Sequence, residues 1–196
     1  MLRIVSEYEL VLPDGYGVYA ASRFLYGKNG FDKVYNGTDL YDIVLKEAIR
    51  KSWKIYFLGD TEETIRALKE NIPSKYPKLN IAGAHHGFFD FSDSIIVENI
   101  NESKADILMV GMGFPRQDLW ITENYEKLTV PVIMSVGAGI GFVSGNKKRA
   151  PKIVRAIHLE WMFRLFQEPQ RLWRRYIIGI PQFCFYILLQ KFRKTI

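Results

Sequence analysis

Cysteine is almost absent from this sequence. Cys184 is the one sulfhydryl, which excludes an intramolecular disulfide framework and a cysteine-rich metal site. Histidine is scarce as well, at three residues. His85 and His86 are adjacent and so do not form a usual metal pair; no metal site is expected, and no cofactor either. No Ser-His-Asp or Cys-His constellation can be argued from the spacing. Low-complexity tracts and convincing repeats are missing too. The opening residues 1–12 carry Arg3, Glu7 and Glu9 and have no apolar core, unlike a secretory signal; a cytosolic location is the default expectation. The strongly apolar stretch 177–189 has thirteen residues and is broken by Pro181 and Gln182, short of the about 20 that a membrane-spanning helix needs.

What is present is ample apolar material: 48% hydrophobic residues and 28 aromatics in 196 residues, enough for one well-buried domain and too much for a disordered chain. Charge is unevenly spread. From Lys147 onward there are twelve Lys and Arg against Glu160 and Glu168, a balance of +10, while the preceding residues carry fifteen basic and nineteen acidic groups, a balance of −4. A mildly acidic body with a strongly basic end suits phosphate-bearing ligands, nucleic acid or anionic lipid headgroups. Charge alone does not choose among them.

Short apolar runs that end in glycine alternate with helix-like segments. Lys54-Ile-Tyr-Phe-Leu-Gly59, Leu79-Asn-Ile-Ala-Gly83, Ala105-Asp-Ile-Leu-Met-Val-Gly111 and Val130-Pro-Val-Ile-Met-Ser-Val-Gly137 read as strands. Asp60 or Thr61 is placed to cap a helix running to about Ser74, with Glu62 and Glu63 in its acidic first turn. Further helices are expected after Pro115 to about Leu128 and from about Pro151. Strand-helix alternation implies βαβ units and a parallel sheet covered on both faces. Ligands of such sheets sit at the carboxyl ends of the strands, where Gly59, Gly111, Gly113, Gly137 and Gly139 fall.

The end of the chain reads differently. Ile153, Ile157, Trp161 and Leu165 recur every four residues and predict one helix with an apolar stripe, interrupted by Pro169. Arg171, Arg174 and Arg175 follow, interleaved with Trp173 and Tyr176; Lys191, Arg193 and Lys194 flank the apolar stretch on its far side. Cations and aromatics in that arrangement suit a segment lying in the headgroup region of a membrane. The bland alternative is a helix packed on the core or in a homo-oligomer interface.

Three segments carry chemistry. Val136-Gly-Ala-Gly-Ile-Gly-Phe-Val-Ser-Gly-Asn-Lys-Lys-Arg-Ala-Pro151 reads as a glycine-rich loop whose backbone N–H groups could cradle phosphate, with Lys147, Lys148 and Arg149 adding charge and Pro151 opening a helix. It matches neither a dinucleotide fingerprint nor a P-loop, and an ordinary turn beside a solvated basic run explains it as well. Gly111-Met-Gly-Phe-Pro-Arg-Gln-Asp-Leu-Trp120 is a second strand-to-helix junction, where Arg116 and Gln117 could present donors to a sugar or diphosphate; a solvated helix start is the plainer reading. Pro13-Asp-Gly15 is a turn signature, and a carboxylate there could serve as a general base toward a sugar hydroxyl.

Taken in order, these segments, with Leu12-Pro-Asp-Gly-Tyr-Gly-Val18, Asn36-Gly-Thr-Asp-Leu40, His86-Gly-Phe-Phe89, Leu159-Glu-Trp-Met-Phe-Arg164 and Glu168-Pro-Gln-Arg-Leu-Trp-Arg-Arg-Tyr176, resemble the WecG/TagA/CpsF glycosyltransferases (glycosyltransferase family 26). The resemblance covers almost the whole chain. It implies a Rossmann-like, mostly parallel α/β domain over 1–145 and a basic amphipathic helical, membrane-associating appendage over 146–196. It also implies a metal-independent, inverting transfer of N-acetylmannosamine or a related sugar from UDP to N-acetylglucosamine on undecaprenyl diphosphate. Products of such enzymes feed wall teichoic acid, enterobacterial common antigen, capsule or exopolysaccharide. By the same resemblance Asp14 is the general base and Gln117 contacts the nucleotide sugar. Arg164, Arg171 and Arg174 close over the pocket and stabilise the departing diphosphate. Gly15, Gly37, Thr38, Asp39, Gly59, Gly111, Gly113, Pro115, Gly137, Gly139 and Arg149 complete the substrate-binding positions. The implied partners are a UDP-sugar, the lipid-linked acceptor and the anionic cytoplasmic face of a bacterial membrane.

Family members carry a further βα unit ahead of the Pro-Asp-Gly turn, with a Thr-x-Asn-type loop, and that unit is expected to be missing here. Two other readings stand beside the transferase. One is a nucleotide-binding fragment or diverged member without turnover, which would bind UDP and transfer nothing. The other is a nucleic-acid-binding protein, disfavoured because its aromatics lie in apolar surroundings rather than on a stacking surface.

Overall fold

The structure is a computed structural model that describes residues 8–193; Arg3, Glu7 and Lys194, named above, lie outside them. Two compact units divide these residues, the first comprising residues 8–11 and Gly37–Lys148 and the second residues 12–36 and 149–193.

The first unit is an α/β sandwich. Its strands β1 (Lys54–Gly59), β2 (Asn80–His85), β3 (Ile107–Gly111) and β4 (Val132–Ser135) form one sheet in the order β2-β1-β3-β4, every pair parallel. Ile55 to Leu58 in β1 and all of β3 are buried, as strands covered on both faces must be. Side chains alternate between the two faces. Ile55, Phe57, Ile107 and Met109 join a core with Leu45, Leu68 and Ile140, drawn from helices α2 (Gly37–Lys51), α3 (Glu62–Lys75) and α6 (Gly139–Ser144). Tyr56, Leu58, Leu108 and Val110 join the opposite core with Ile96, Ile100 and Trp120, drawn from α4 (Ser94–Glu102) and α5 (Arg116–Asn124). Each such side chain taken fully out of water contributes roughly 1.5–3 kcal/mol.

Local signals explain the helices. Thr61 is the N-cap of α3, its hydroxyl accepting from the Thr64 N–H at 3.2 Å, with Glu62 and Glu63 in the first turn. Asp93 caps α4 through the Ile95 N–H. The sheet and its two helical layers agree with the α/β reading of the sequence. One stretch differs from it: over Gly139–Ser144 the glycine-rich segment is not a loop but the helix α6. Gly139 is required there by crowding, since a Cβ would lie 2.4 Å from the Tyr41 ring.

The second unit holds α1 (Tyr16–Tyr26), α7 (Lys152–Ala156), α8 (Glu160–Gln167) and α9 (Pro169–Trp173), a π turn over Arg174–Ile178, and α10 (Gly179–Arg193). The single striped helix predicted from Ile153 to Leu165 is two helices. Its chain turns at His158, where φ is 59°, and Ile153, Ile157 and Trp161 are all exposed. Pro169 opens a helix instead of only ending one, at the N1 position where its missing N–H costs nothing. Nor does Pro181 break the apolar stretch: α10 runs through it. The π turn just ahead, closed by Gly179 N–H to the Arg174 carbonyl, shifts the hydrogen-bond ladder where proline cannot donate. α10 packs on α1, with Lys191 Nζ donating to the Phe24 carbonyl at 3.0 Å. No helix among the described residues is long and apolar enough to cross a membrane.

Candidate active site

Glycines at the carboxyl ends of the central strands let three chain segments approach closely. A Cβ on Gly59 would sit 2.4 Å from the Gly111 carbonyl, and one on Gly111 would sit 2.8 Å from the Gly137 oxygen. β1, β3 and the loop after β4 therefore meet side by side at the sheet's carboxyl end.

Gln117 holds the loops there. It lies in the first turn of α5 and is buried. Its Oε1 accepts from the Gly113 N–H at 3.1 Å and from the Gly137 N–H at 3.0 Å, while the Gly139 N–H donates to the Val136 carbonyl. These amides serve loop against loop, which narrows the sequence-based idea of a phosphate cradle made from them. Pro115 is the residue before α5, in a cis peptide with Phe114. The amino end of α2, with Gly37, Thr38 and Asp39, reaches the same place. Tyr41, one turn on, donates its hydroxyl to the Val136 carbonyl at 2.7 Å.

Several charged residues surround this edge. Asp60 follows Gly59 at φ 57°. It accepts from the Thr61 N–H and the Thr64 hydroxyl, and pairs with Lys147 Nζ at 3.2 Å. Lys147 is thus answered within the protein. Arg116, one of the two possible donors at this junction, donates to the Gly87 and Phe89 carbonyls and lies over the Phe91 ring, pinning the loop after β2. Beneath the glycines, Asp118 accepts from Tyr8 Oη at 2.8 Å and Ser135 Oγ at 3.0 Å. Burial, reinforced by Asp118, pushes the Tyr8 phenol up to about 12. His86 Nδ1 accepts from the Phe88 N–H, and among the described residues no three His, Cys, Asp or Glu gather as metal ligands.

The remaining candidates belong to the second unit. Asp14 is exposed in the turn before α1. Gly15 caps that helix at φ 86°, its N–H donating to the Tyr35 carbonyl at 2.8 Å. Arg149 is half-buried ahead of α7. Arg164 on α8 pairs with Glu160 at 3.0 Å, Arg171 on α9 pairs with Glu168, and Arg174 in the π turn lies 5.3 Å over Trp173. These cations stand on successive helices of one basic segment.

Comparison with known proteins follows this layout. The family model described as "Glycosyl transferase WecG/TagA/CpsF family" matches residues 1–196. Two relatives, from Staphylococcus aureus strain MW2 and strain NCTC 8325 / PS 47, are each named N-acetylglucosaminyldiphosphoundecaprenol N-acetyl-beta-D-mannosaminyltransferase. Each is 34% identical to this chain over 190 residues, covering 97% of the chain and 73% of the relative. A match of that extent, on a parallel sheet with glycines at the carboxyl ends of its strands, leaves one conclusion: the chain belongs to the WecG/TagA/CpsF glycosyltransferase family.

Proposed function

We propose that this protein transfers N-acetylmannosamine, or a closely related sugar, from UDP to N-acetylglucosamine linked to undecaprenyl diphosphate, with inversion at the anomeric carbon. The observation that carries this reading is the near-complete alignment with relatives named for that transfer. The strand-end glycines and the Gln117 clamp support a nucleotide-sugar site on the first unit.

The chemistry is one displacement. The acceptor hydroxyl oxygen attacks the anomeric carbon and forms the new C–O bond. The bond from that carbon to the UDP phosphate oxygen breaks, its electron pair leaving with the diphosphate, while Asp14 takes the hydroxyl proton. Arg164, Arg171 and Arg174 offset the charge growing on the leaving group. Arg164 and Arg171 hold Glu160 and Glu168 in this structure. Partly exposed pairs of that kind are worth about 0–1 kcal/mol, so a diphosphate offering bidentate, charge-assisted hydrogen bonds can displace them. With guanidinium groups in that role, a metal is not required. Products of such a transfer serve cell-surface polysaccharide or teichoic acid synthesis, and the protein acts as a peripheral enzyme at the cytoplasmic face of the membrane.

UDP release from UDP-N-acetylmannosamine, with a lipid-linked N-acetylglucosamine diphosphate analogue and EDTA present, tests the reaction. Asp14→Asn should lower kcat by roughly 10²–10⁴-fold, the usual contribution of a general base, and leave the fold intact. Turnover by that variant within tenfold of wild type would remove the base assignment. UDP binding without transfer to any lipid-linked acceptor would point to the inactive alternative.

A further inference from the structure

Tyr16 follows the 13–15 turn directly and is the first residue of α1. Its ring lies face to face with the imidazole of His158, centroids 4.1 Å apart and planes 13° from parallel. The backbone beneath that imidazole is unusual. Leu159 N–H donates to the Val154 carbonyl and His158 N–H to the Arg155 carbonyl, each at 3.0 Å. Those two bonds are the Schellman stop of a helix, whose left-handed residue is most often glycine. Here it is His158, at φ 59°, a conformation that opposes any L side chain. Ending α7 does not call for an imidazole. What the imidazole adds is the stack on Tyr16, two residues beyond the candidate base Asp14.

We propose that His158 is a positioning residue for Asp14: by stacking on Tyr16 it holds the 13–15 turn, and with it the Asp14 carboxylate, in one orientation. The proposal rests on the reading of Asp14 as general base. A backbone tie of the same turn, the Gly15 N–H to the Tyr35 carbonyl at 2.8 Å, supplies a direct reporter, because opening of the turn exposes that amide to exchange.

His158→Gly, made in the full chain, suits the left-handed backbone and should leave the unfolding midpoint equal or higher. Exchange at the Gly15 amide should quicken by roughly three- to tenfold, the factor a stacked aromatic pair is worth. The kcat for sugar transfer should fall by a similar factor with KM for the UDP-sugar unchanged. His158→Phe keeps a flat ring and should restore both readouts. Should His158→Phe fail to fold, Tyr16→Leu supplies the second arm; it should reproduce the His158→Gly effect and add nothing to it in the double variant. Native exchange at Gly15 in His158→Gly would overturn the proposal. So would faster exchange with native kcat, or a folded His158→Phe that behaves like His158→Gly. Asp14→Asn keeps the two readings apart: undiminished turnover there removes the base assignment alone, while Gly15 exchange still decides whether the stack holds the turn.

Discussion

Among single residues, the glutamine at the sheet's carboxyl edge has a role its polarity alone did not disclose. Its Oε1 is the shared acceptor for two loop amides, on a side chain only 7% exposed. An unsatisfied buried N–H costs about 1–3 kcal/mol. Gln117→Leu should therefore destabilise the first unit by about 2–4 kcal/mol, read as a lower urea midpoint at unchanged slope. Gln117→Glu retains the acceptor oxygens and should stay within about 1 kcal/mol of wild type. Equal stability of the Leu variant would show that Gly113 and Gly137 do not depend on this side chain. Substrate contact by Gln117, if the proposed reaction holds, comes from an amide already fixed in place, which is how a preorganised site avoids reordering on binding.

Between elements, tyrosine-carboxylate pairs join what the sheet alone does not. Tyr8 bridges the segment before α1 to Asp118 on α5, and Tyr76 at the end of α3 donates to Asp42 on α2 at 3.0 Å. Burial first, and the carboxylate partner with it, pushes both phenols up to about 12. A raised folded value means the neutral phenol is favoured in the native state. Their contribution is therefore complete below the unfolded value of 10.0 and is lost as pH climbs toward 12. Denaturation midpoints should fall across that window, and the Tyr8→Phe, Tyr76→Phe double variant should start lower and fall less steeply. Parallel slopes for the two proteins would exclude this linkage. None of these pairs was legible in the sequence, because partners 110 and 34 residues apart leave no periodic trace. The strands were legible, since a strand buried on both faces must be a continuous apolar run. Helix stops were less so: Ile153 and Ile157 keep perfect four-residue spacing with Trp161, yet the chain turns at His158, a residue with none of glycine's signal.

For the whole molecule, the question is how a chain without a membrane-crossing helix among its described residues would reach a lipid-linked acceptor. α10 leaves Phe185, Tyr186, Leu188 and Phe192 exposed, between Arg174 and Arg175 on one side and Lys191 and Arg193 on the other. Apolar side chains that stay in water are unfavourable by roughly 1.5–3 kcal/mol each relative to burial, whereas an interfacial helix buries them while its cations meet anionic headgroups. Each cation near such a surface adds about 1 kcal/mol, screened by salt. The full chain should therefore sediment with phosphatidylglycerol vesicles at low salt and progressively less as NaCl rises. It should bind phosphatidylcholine vesicles only weakly. Phe185→Asp with Phe192→Asp should lower partitioning by at least tenfold at every salt concentration, because the apolar contribution is not screened. Arg174→Glu with Arg175→Glu should instead flatten the salt dependence and reduce the preference for phosphatidylglycerol. Binding that ignores lipid charge, or that survives the double Phe→Asp change, would mean that α10 is covered by protein in solution. The basic helices would then act on the diphosphate alone, and membrane recruitment would have to come from another surface.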